Sequence, residues 1–263
     1  LLFGMTITSH HNTKLREIRK LHQRRRWRER TGRFVAEGED LLAAADAAGW
    51  TPVERYCAAG SGLAGVEVQA ELLASVSGLG SGTRALAVYQ ERWAERPLGP
   101  VCVALWGVGD PGNVGTILRG ALAFAAGSVA LGPGCADPFA PKAVRASMGA
   151  VFAVPLARVD TPAELPGLRL ALIAGAGPPL AEAIASLAER GRPQPAATGA
   201  PAADPAPAPE LTLLVGAERT GLPAEVAAQA DLVAHIPIVT DSLNAAMAAT
   251  IALYELRTRM ARR

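Results

Sequence analysis

The chain has 263 residues, half of them apolar and 19% charged, with a formal net charge of +2. That length and composition suit one large or two modest globular domains with a proper buried core. Apolar runs are broken by charge, Pro or Gly well before the roughly 18–20 residues that cross a bilayer, which argues against a membrane-spanning helix.

In chain order, the first element is basic. Leu15, Ile18 and Leu21 or His22 recur at helical spacing and predict a helix over residues 11–30. From Lys14 to Arg33 the chain carries Lys14, Arg16, Arg19, Lys20, Arg24, Arg25, Arg26, Arg28, Arg30 and Arg33 against only Glu17 and Glu29. Such a block beside a near-neutral body suits phosphates, and it equally describes a solvated helix face or a basic arm. A strand at Phe34-Val35-Ala36 comes next, then a helix through Leu41 and Leu42 that stops at Gly49, where Gly suits the left-handed cap. A strand near Val53–Ala58, a strand at Val66–Val68, a helix at Ala70–Val76 and a strand at Ala85–Tyr89 complete a small α/β unit. Pro97, Gly99 and Pro100 disfavour regular structure, so the boundary is set there: an N-terminal domain over 1–96 and a second over 97–263.

The second half alternates again. Strands are predicted at Val101–Trp106, Ser128–Leu131, Leu170–Ala174 and Leu211–Val215, with helices at Asn113–Ala126, Lys142–Met148 and Leu180–Glu189. Continuous apolar strands such as Val101–Leu105 indicate a parallel sheet covered on both faces. Between Arg192 and Glu210 stand six of the chain's twenty prolines, so the 190–210 stretch reads as an extended surface excursion.

Three strand-to-helix junctions combine small residues with polar groups, where open α/β sheets place ligands. They are Asp110-Pro111-Gly112-Asn113-Val114-Gly115-Thr116-Ile117-Leu118-Arg119, Gly216-Ala217-Glu218-Arg219-Thr220-Gly221-Leu222, and Ile236-Pro237-Ile238 followed by Ser242-Leu243-Asn244 at the start of a long helix. Asn113 at a helix start is also a good cap, as is Asp241 or Ser242 before the last helix. Arg119 falls off the apolar stripe of Ile117, Leu118, Ala121, Leu122 and Ala125. Lys142 and Arg145 lie on one face of their helix, where RNA contact and a plain surface role are both open. The last helix presents Met247, Ile251 or Thr250, and Tyr254 on one side and ends in Arg257, Arg259, Arg262 and Arg263, cations that suit a helix C-terminus.

In this order the three segments resemble the motifs of the SpoU (TrmH-like) branch of the SPOUT RNA methyltransferases, strongly over about residues 100–263 and more loosely over 10–95. Gly32-Arg33-Phe34-Val35-Ala36-Glu37-Gly38 and Asp137–Ala150 carry further likeness. The resemblance implies an α/β fold with a C-terminal trefoil-knot domain on a parallel sheet, preceded by a small α/β domain that binds substrate RNA. It implies a homodimer, with the apolar face of the last helix in the interface, and S-adenosyl-L-methionine as cofactor. The implied reaction is methylation of a ribose 2′-hydroxyl in structured RNA, 23S rRNA ahead of tRNA.

Carried onto this chain, the family's catalytic positions are Asn113, Arg119, Glu218, Ser242 and Asn244. Backbone around Gly216, Ile236 and Leu243 would hold the cofactor, with Gly216 admitting close approach of the adenosyl group. RNA contacts fall to Arg24, Arg25, Arg26, Arg28, Lys142 and Arg145. Arg119 is the family's proposed proton acceptor, but a guanidinium is not an ordinary base. Stabilising the developing alkoxide, with an RNA phosphate or water taking the proton, is the assignment made here. Two departures stand out: Arg219 occupies a position that is commonly Gly, and the Val239–Asp241 loop is about two residues shorter than in many relatives.

A catalytically inactive RNA-binding protein of ribosome assembly is the alternative from another class. A Rossmann oxidoreductase is disfavoured, because no Gly-x-Gly-x-x-Gly follows the first strand of either domain. Cys57, Cys102 and Cys135 are odd in number and show no metal-ligand spacing, so they read as reduced, mostly buried thiols with no metal site. Leu1–Met5 is too short for a secretory apolar region and lacks a cleavage pattern, which gives the expectation of a cytoplasmic protein.

Overall fold

Alternating strand and helix patterns condense into two compact units in a computed structural model that describes residues 6–79, 82–190 and 210–260. One unit is formed by the chain up to Arg92 together with Asp110–Arg119 and Ala136–Ala153. The other comprises Trp93–Gly109, Gly120–Cys135 and the chain from Val154. The two later segments join the first unit, which no single cut in the sequence anticipates. The 190–210 excursion (save Arg190 and Glu210), Leu1–Met5 and the terminal Arg262 and Arg263 lie outside the described residues.

In the first unit the basic segment folds as two helices rather than one. Helix α1 (Thr13–Gln23) starts at Asn12, whose side chain accepts from Lys14 N at 2.9 Å, and buries Leu15, Ile18 and Leu21. The backbone turns extended at Arg24 (φ −126°, ψ 105°) before α2 (Arg25–Thr31), which ends at Gly32 with φ 60°. Strands β1 (Arg33–Glu37), β2 (Glu54–Ala58), β3 (Val66–Val68) and β4 (Ala85–Gln90), with α3 (Glu39–Ala47) and α4 (Ala70–Val76), build a four-stranded sheet in the order β1-β4-β2-β3. Only β2 and β3 pair in parallel. One core gathers Leu15, Ile18, Leu21, Val35, Tyr56, Leu72, Leu73 and Leu86.

The later segments add further packing to this unit. Helices α6 (Pro141–Ser147) and α7 (Ala150–Ala153) pack on β1 and α3. Phe139 and Phe152 join Phe34, Trp50 and Tyr89 in an aromatic cluster, with Phe34 and Phe139 centroids 4.7 Å apart. The Trp50 indole N–H donates to Phe152 O at 2.8 Å.

The second unit holds β5 (Val101–Leu105), β6 (Ser128–Leu131), β7 (Leu156–Arg158), β8 (Leu168–Leu172), β9 (Leu211–Val215) and β10 (Leu232–Ala234) in a six-stranded sheet. Every pairing is parallel and the order is β10-β8-β9-β5-β6-β7. All residues of β6 and β9 are buried, as expected of strands covered on both faces. Helix α8 (Leu180–Arg190) and the last helix, α10 (Ala245–Met260), pack on each other, and α10 also packs on β9. A short helix α9 (Ala224–Ala227) precedes β10. Helix α5 (Pro111–Ala123) starts in the first unit and ends in the second. Among the described residues no helix is long and apolar enough to cross a membrane. Cys57 and Cys102 are buried and Cys135 is half-buried, all as free thiols.

Candidate active site

Parallel pairing sends the carboxyl ends of β8, β9 and β10 to one edge of the sheet, and the loops that leave them enclose a cavity of about 310 Å³. Leu172, Ile173, Val215, Leu222, Ile236 and Ile238 supply apolar lining, while Glu218, Arg219, Thr220, Asp241 and Ser242 supply polar groups. Five of the residues singled out from the sequence meet here: Gly216, Glu218, Ile236, Ser242 and Leu243. Leu105 of β5 stands in register with Val215, and Trp106 N donates to Val215 O at 2.9 Å. The strand ends that lead into the first and second motifs are therefore neighbours.

The second motif is a closed turn. Ala217 N donates to Gly221 O at 3.1 Å and Gly221 N to Ala217 O at 3.0 Å. A Cβ on Gly216 would lie 2.2 Å from Gly221 C and 2.3 Å from Leu222 N. Glycine at 216 thus has a packing cause, because the turn folds back onto its own backbone, while the residue also lines the cavity.

Asn244 has a structural part at the start of the last helix. It is not among the cavity-lining residues. Its side-chain oxygen accepts from Ala246 N at 2.9 Å and Met247 N at 3.3 Å, so it caps α10. The helix accordingly begins at Ala245, and Asp241 and Ser242 are released from the capping role to face the cavity.

At the first motif the cap is Asp110. Its carboxylate accepts from Asn113 N at 3.0 Å and its carbonyl from Val114 N, with Pro111 opening the helix. Asn113 is half-buried inside the first turn and Arg119 is exposed on the same helix; both belong to the first unit. Lys142 Nζ lies 2.7 Å from Asp110 Oδ2. That lysine, opposed slightly by burial and helped by the N–H groups of Asn113 and Gly112, holds the Asp110 carboxyl below its ordinary value. Gly115 has a packing cause, since its Cβ would lie 2.3 Å from Ala143 O, where α5 crosses α6.

Among the proposed RNA contacts, Arg24, Arg25 and Arg26 are exposed, with Arg25 paired to Glu29 at 2.8 Å. Arg28 is not available to a ligand: it is 5% exposed, donates to Asp137 Oδ2 at 2.7 Å and gives a second bond to Leu21 O at 2.7 Å. Its charge holds α2 against the Asp137 segment. Lys142 is exposed but engaged by Asp110, and Arg145 is half-buried on α6. Sequence reasoning missed the part played by Leu172, Ile173 and Ala174, because nothing in an apolar strand end marks it as a cavity wall. It also passed over Asp241 as a ligand-facing group, although a charged residue at a strand-end turn was the available signal.

Residues 100–254 match the SpoU rRNA Methylase family, and residues 12–87 match the MRM3-like substrate binding domain. The chain belongs to the SpoU rRNA methylase family. An uncharacterised tRNA/rRNA methyltransferase of Mycobacterium tuberculosis is 39% identical over 165 residues, 59% of this chain and 50% of that protein. The 23S rRNA (guanosine(2553)-2′-O)-methyltransferase of Bacillus subtilis is 32% identical over 152 residues, 57% of this chain and 55% of that protein. The chain thus spans about half the length of the curated relatives it matches. Among solved structures, the S-adenosylmethionine-bound rRNA methyltransferase from Sinorhizobium meliloti is 29% identical, with a TM-score of 0.79 over 97% of this chain and 98% of that one. A substrate-binding domain followed by a methylase domain on a parallel sheet is therefore the architecture of this family member.

Proposed function

We propose that the chain transfers a methyl group from S-adenosylmethionine to a ribose 2′-hydroxyl of structured RNA, with 23S rRNA as the substrate class. The observation that carries this reading is the cavity itself, where Gly216, Glu218, Ile236, Ser242 and Leu243, from the loops after two consecutive strands, share one lining at the carboxyl ends of parallel strands. The cavity suits the cofactor by size, within the roughly 300–1,000 Å³ of small-molecule sites, and by lining, apolar with a few polar groups. The relatives' names support the RNA class: one acts on a guanosine and another, from Streptomyces viridochromogenes, on a uridine of 23S rRNA.

Backbone groups of Gly216, Ile236 and Leu243 would hold the cofactor, with Leu172, Val215 and Leu222 against its apolar faces. When bound, it supplies a methyl group already activated by the sulfonium. The protein then has to align the 2′-oxygen and ease loss of its proton. We assign Arg119 to the charge that develops on that oxygen, Asn113 and Glu218 to positioning, and the proton to an RNA phosphate or water. Ser242 faces the reacting end. Asn244 serves the site through the start of α10, by fixing the loop that bears Ser242 and Leu243.

We further propose a homodimer. Met247, Ile251 and Tyr254 lie on one face of α10 and are 56%, 36% and 53% exposed, and Leu122 is 47% exposed at the end of α5. We also propose the family's trefoil knot for this domain, whose parallel sheet places β9 between β8 and β5. We propose a cytoplasmic setting, where an RNA methyltransferase meets its substrate. Exposed Arg24, Arg25 and Arg26 support a phosphate-binding face on the substrate domain. Titration calorimetry with S-adenosylmethionine tests the reading: micromolar binding is expected, and absence of heat in the full chain would favour a non-catalytic RNA-binding protein.

A further inference from the structure

Glu218 and Arg219 lie on the closed turn after β9 and Asp241 on the loop after β10, and all three line the cavity. Arg219 and Asp241 are exposed, and among the described residues neither has a hydrogen bond or ion pair. Some charged side chains of this unit are paired, among them Arg169 with Asp231 at 3.0 Å and Arg259 with Glu255 at 2.7 Å. The two rim groups are opposite in sign and beyond ion-pair reach of each other, so a ligand end carrying both signs can be received between them. The turn that bears Arg219 is fixed by the paired Ala217 and Gly221 hydrogen bonds, which makes the guanidinium's origin rigid.

We propose that Arg219 and Asp241 clamp the zwitterionic amino-acid end of the cofactor, Arg219 on its carboxylate and Asp241 on its ammonium. This rests on the cofactor assignment above. Charge accounting favours it over an RNA phosphate at the same place. Glu218, Arg219 and Asp241 sum to one negative charge, while S-adenosylmethionine carries one net positive charge from carboxylate, ammonium and sulfonium. An RNA backbone is negative throughout and would meet Asp241 and Glu218 as well as Arg219.

The test uses the full chain, wild type, Arg219→Gln and Asp241→Asn, titrated with S-adenosylhomocysteine and with 5′-methylthioadenosine, which keeps the nucleoside and thioether but lacks the amino-acid end. Each variant is expected to weaken S-adenosylhomocysteine by about tenfold, the scale of a charge-assisted hydrogen bond, and to leave methylthioadenosine within twofold. Equal weakening of both ligands would show a damaged pocket and overturn the clamp. Unchanged S-adenosylhomocysteine affinity would also overturn it, and a fall in RNA affinity alone in Arg219→Gln would reassign that arginine to a phosphate. A wild-type chain that binds neither ligand would defeat the cofactor reading itself, an outcome distinct from a clamp failure.

Discussion

Replacing Gly216 with Ala places a methyl group where the second motif has no space. The added carbon would lie 2.2 Å from Gly221 C, 2.3 Å from Leu222 N and 2.5 Å from Gly221 O, all backbone atoms. Ordinary carbon contacts begin near 3.5 Å, so the facing strand of the turn must retreat by roughly 1.3 Å. Such a shift breaks the Ala217–Gly221 pair of hydrogen bonds, at about 0.5–1.5 kcal/mol each, and adds an overpacking cost of about 1–3 kcal/mol. Reduced freedom of the unfolded chain returns about 0.4–1 kcal/mol. A net loss of roughly 1–5 kcal/mol should lower the melting temperature by roughly 2–20 °C in a chain of this size. The turn also lines the cavity, so cofactor affinity should fall at least tenfold. Scanning calorimetry and ligand titration of Gly216→Ala would be compared with Gly109→Ala, an exposed site whose added carbon meets nothing closer than 3.8 Å. If Gly216→Ala matched that control in both melting temperature and affinity, the turn would not be the rigid element described.

Arg28→Ala should cost about 3–5 kcal/mol by leaving Asp137 uncompensated in a buried setting, whereas Arg24→Ala should leave urea stability unchanged; equal effects would contradict the division between buried and exposed cations. Neutralising Arg24, Arg25 and Arg26 together should weaken RNA binding and flatten its logarithmic salt dependence by up to about 2–3, measured by filter binding across salt concentrations. An unchanged slope would return the segment to a solvated face. Burial pushes the Glu37 carboxyl up, but His22, with Nε2 at 2.5 Å from Glu37 Oε1, and donors on Gly78 and Ser77 outweigh it and hold the group below 4.5. Its folded value is thus depressed, so its stabilisation is present above about pH 4.5 and is lost as pH falls through the lower folded value. Urea midpoints from pH 7 to pH 3 should drop below that point in the wild type and drop less in Glu37→Gln; parallel curves would remove Glu37 from the acid transition.

Much of this fold was legible because long apolar strands and amphipathic helices leave a periodic signal. Strands β6 and β9, with every residue buried, fall within their predicted limits. Some short elements escaped: α7, β7, α9 and β10 run for three or four residues and lack the alternation with longer neighbours that marked β3 and β6. The break at Arg24 escaped because charge and spacing continue through it, and only backbone geometry interrupts the helix. Arg28 carried a faint signal, seven residues beyond Leu21 and so on the apolar stripe, but its partner Asp137 is over a hundred residues away in sequence. The same limit explains Gly216, whose obstacle lies across a turn, and α10, where the sequence offered Asp241 or Ser242 as the cap and Asn244 serves. Sequence motifs marked Gly216, Glu218, Ile236, Ser242 and Leu243, which line the cavity, together with Asn113, Arg119 and Asn244, which are not among its lining residues.

The central claim is settled most directly by incubating the full chain with methyl-labelled S-adenosylmethionine and unmodified 23S rRNA, then hydrolysing the RNA with alkali. A ribose 2′-O-methyl group blocks cleavage at its own phosphodiester, so the account predicts label in alkali-resistant dinucleotides, absent with Arg119→Ala. Label released in mononucleotides, as base methylation would give, or no transfer to any RNA offered, would contradict it.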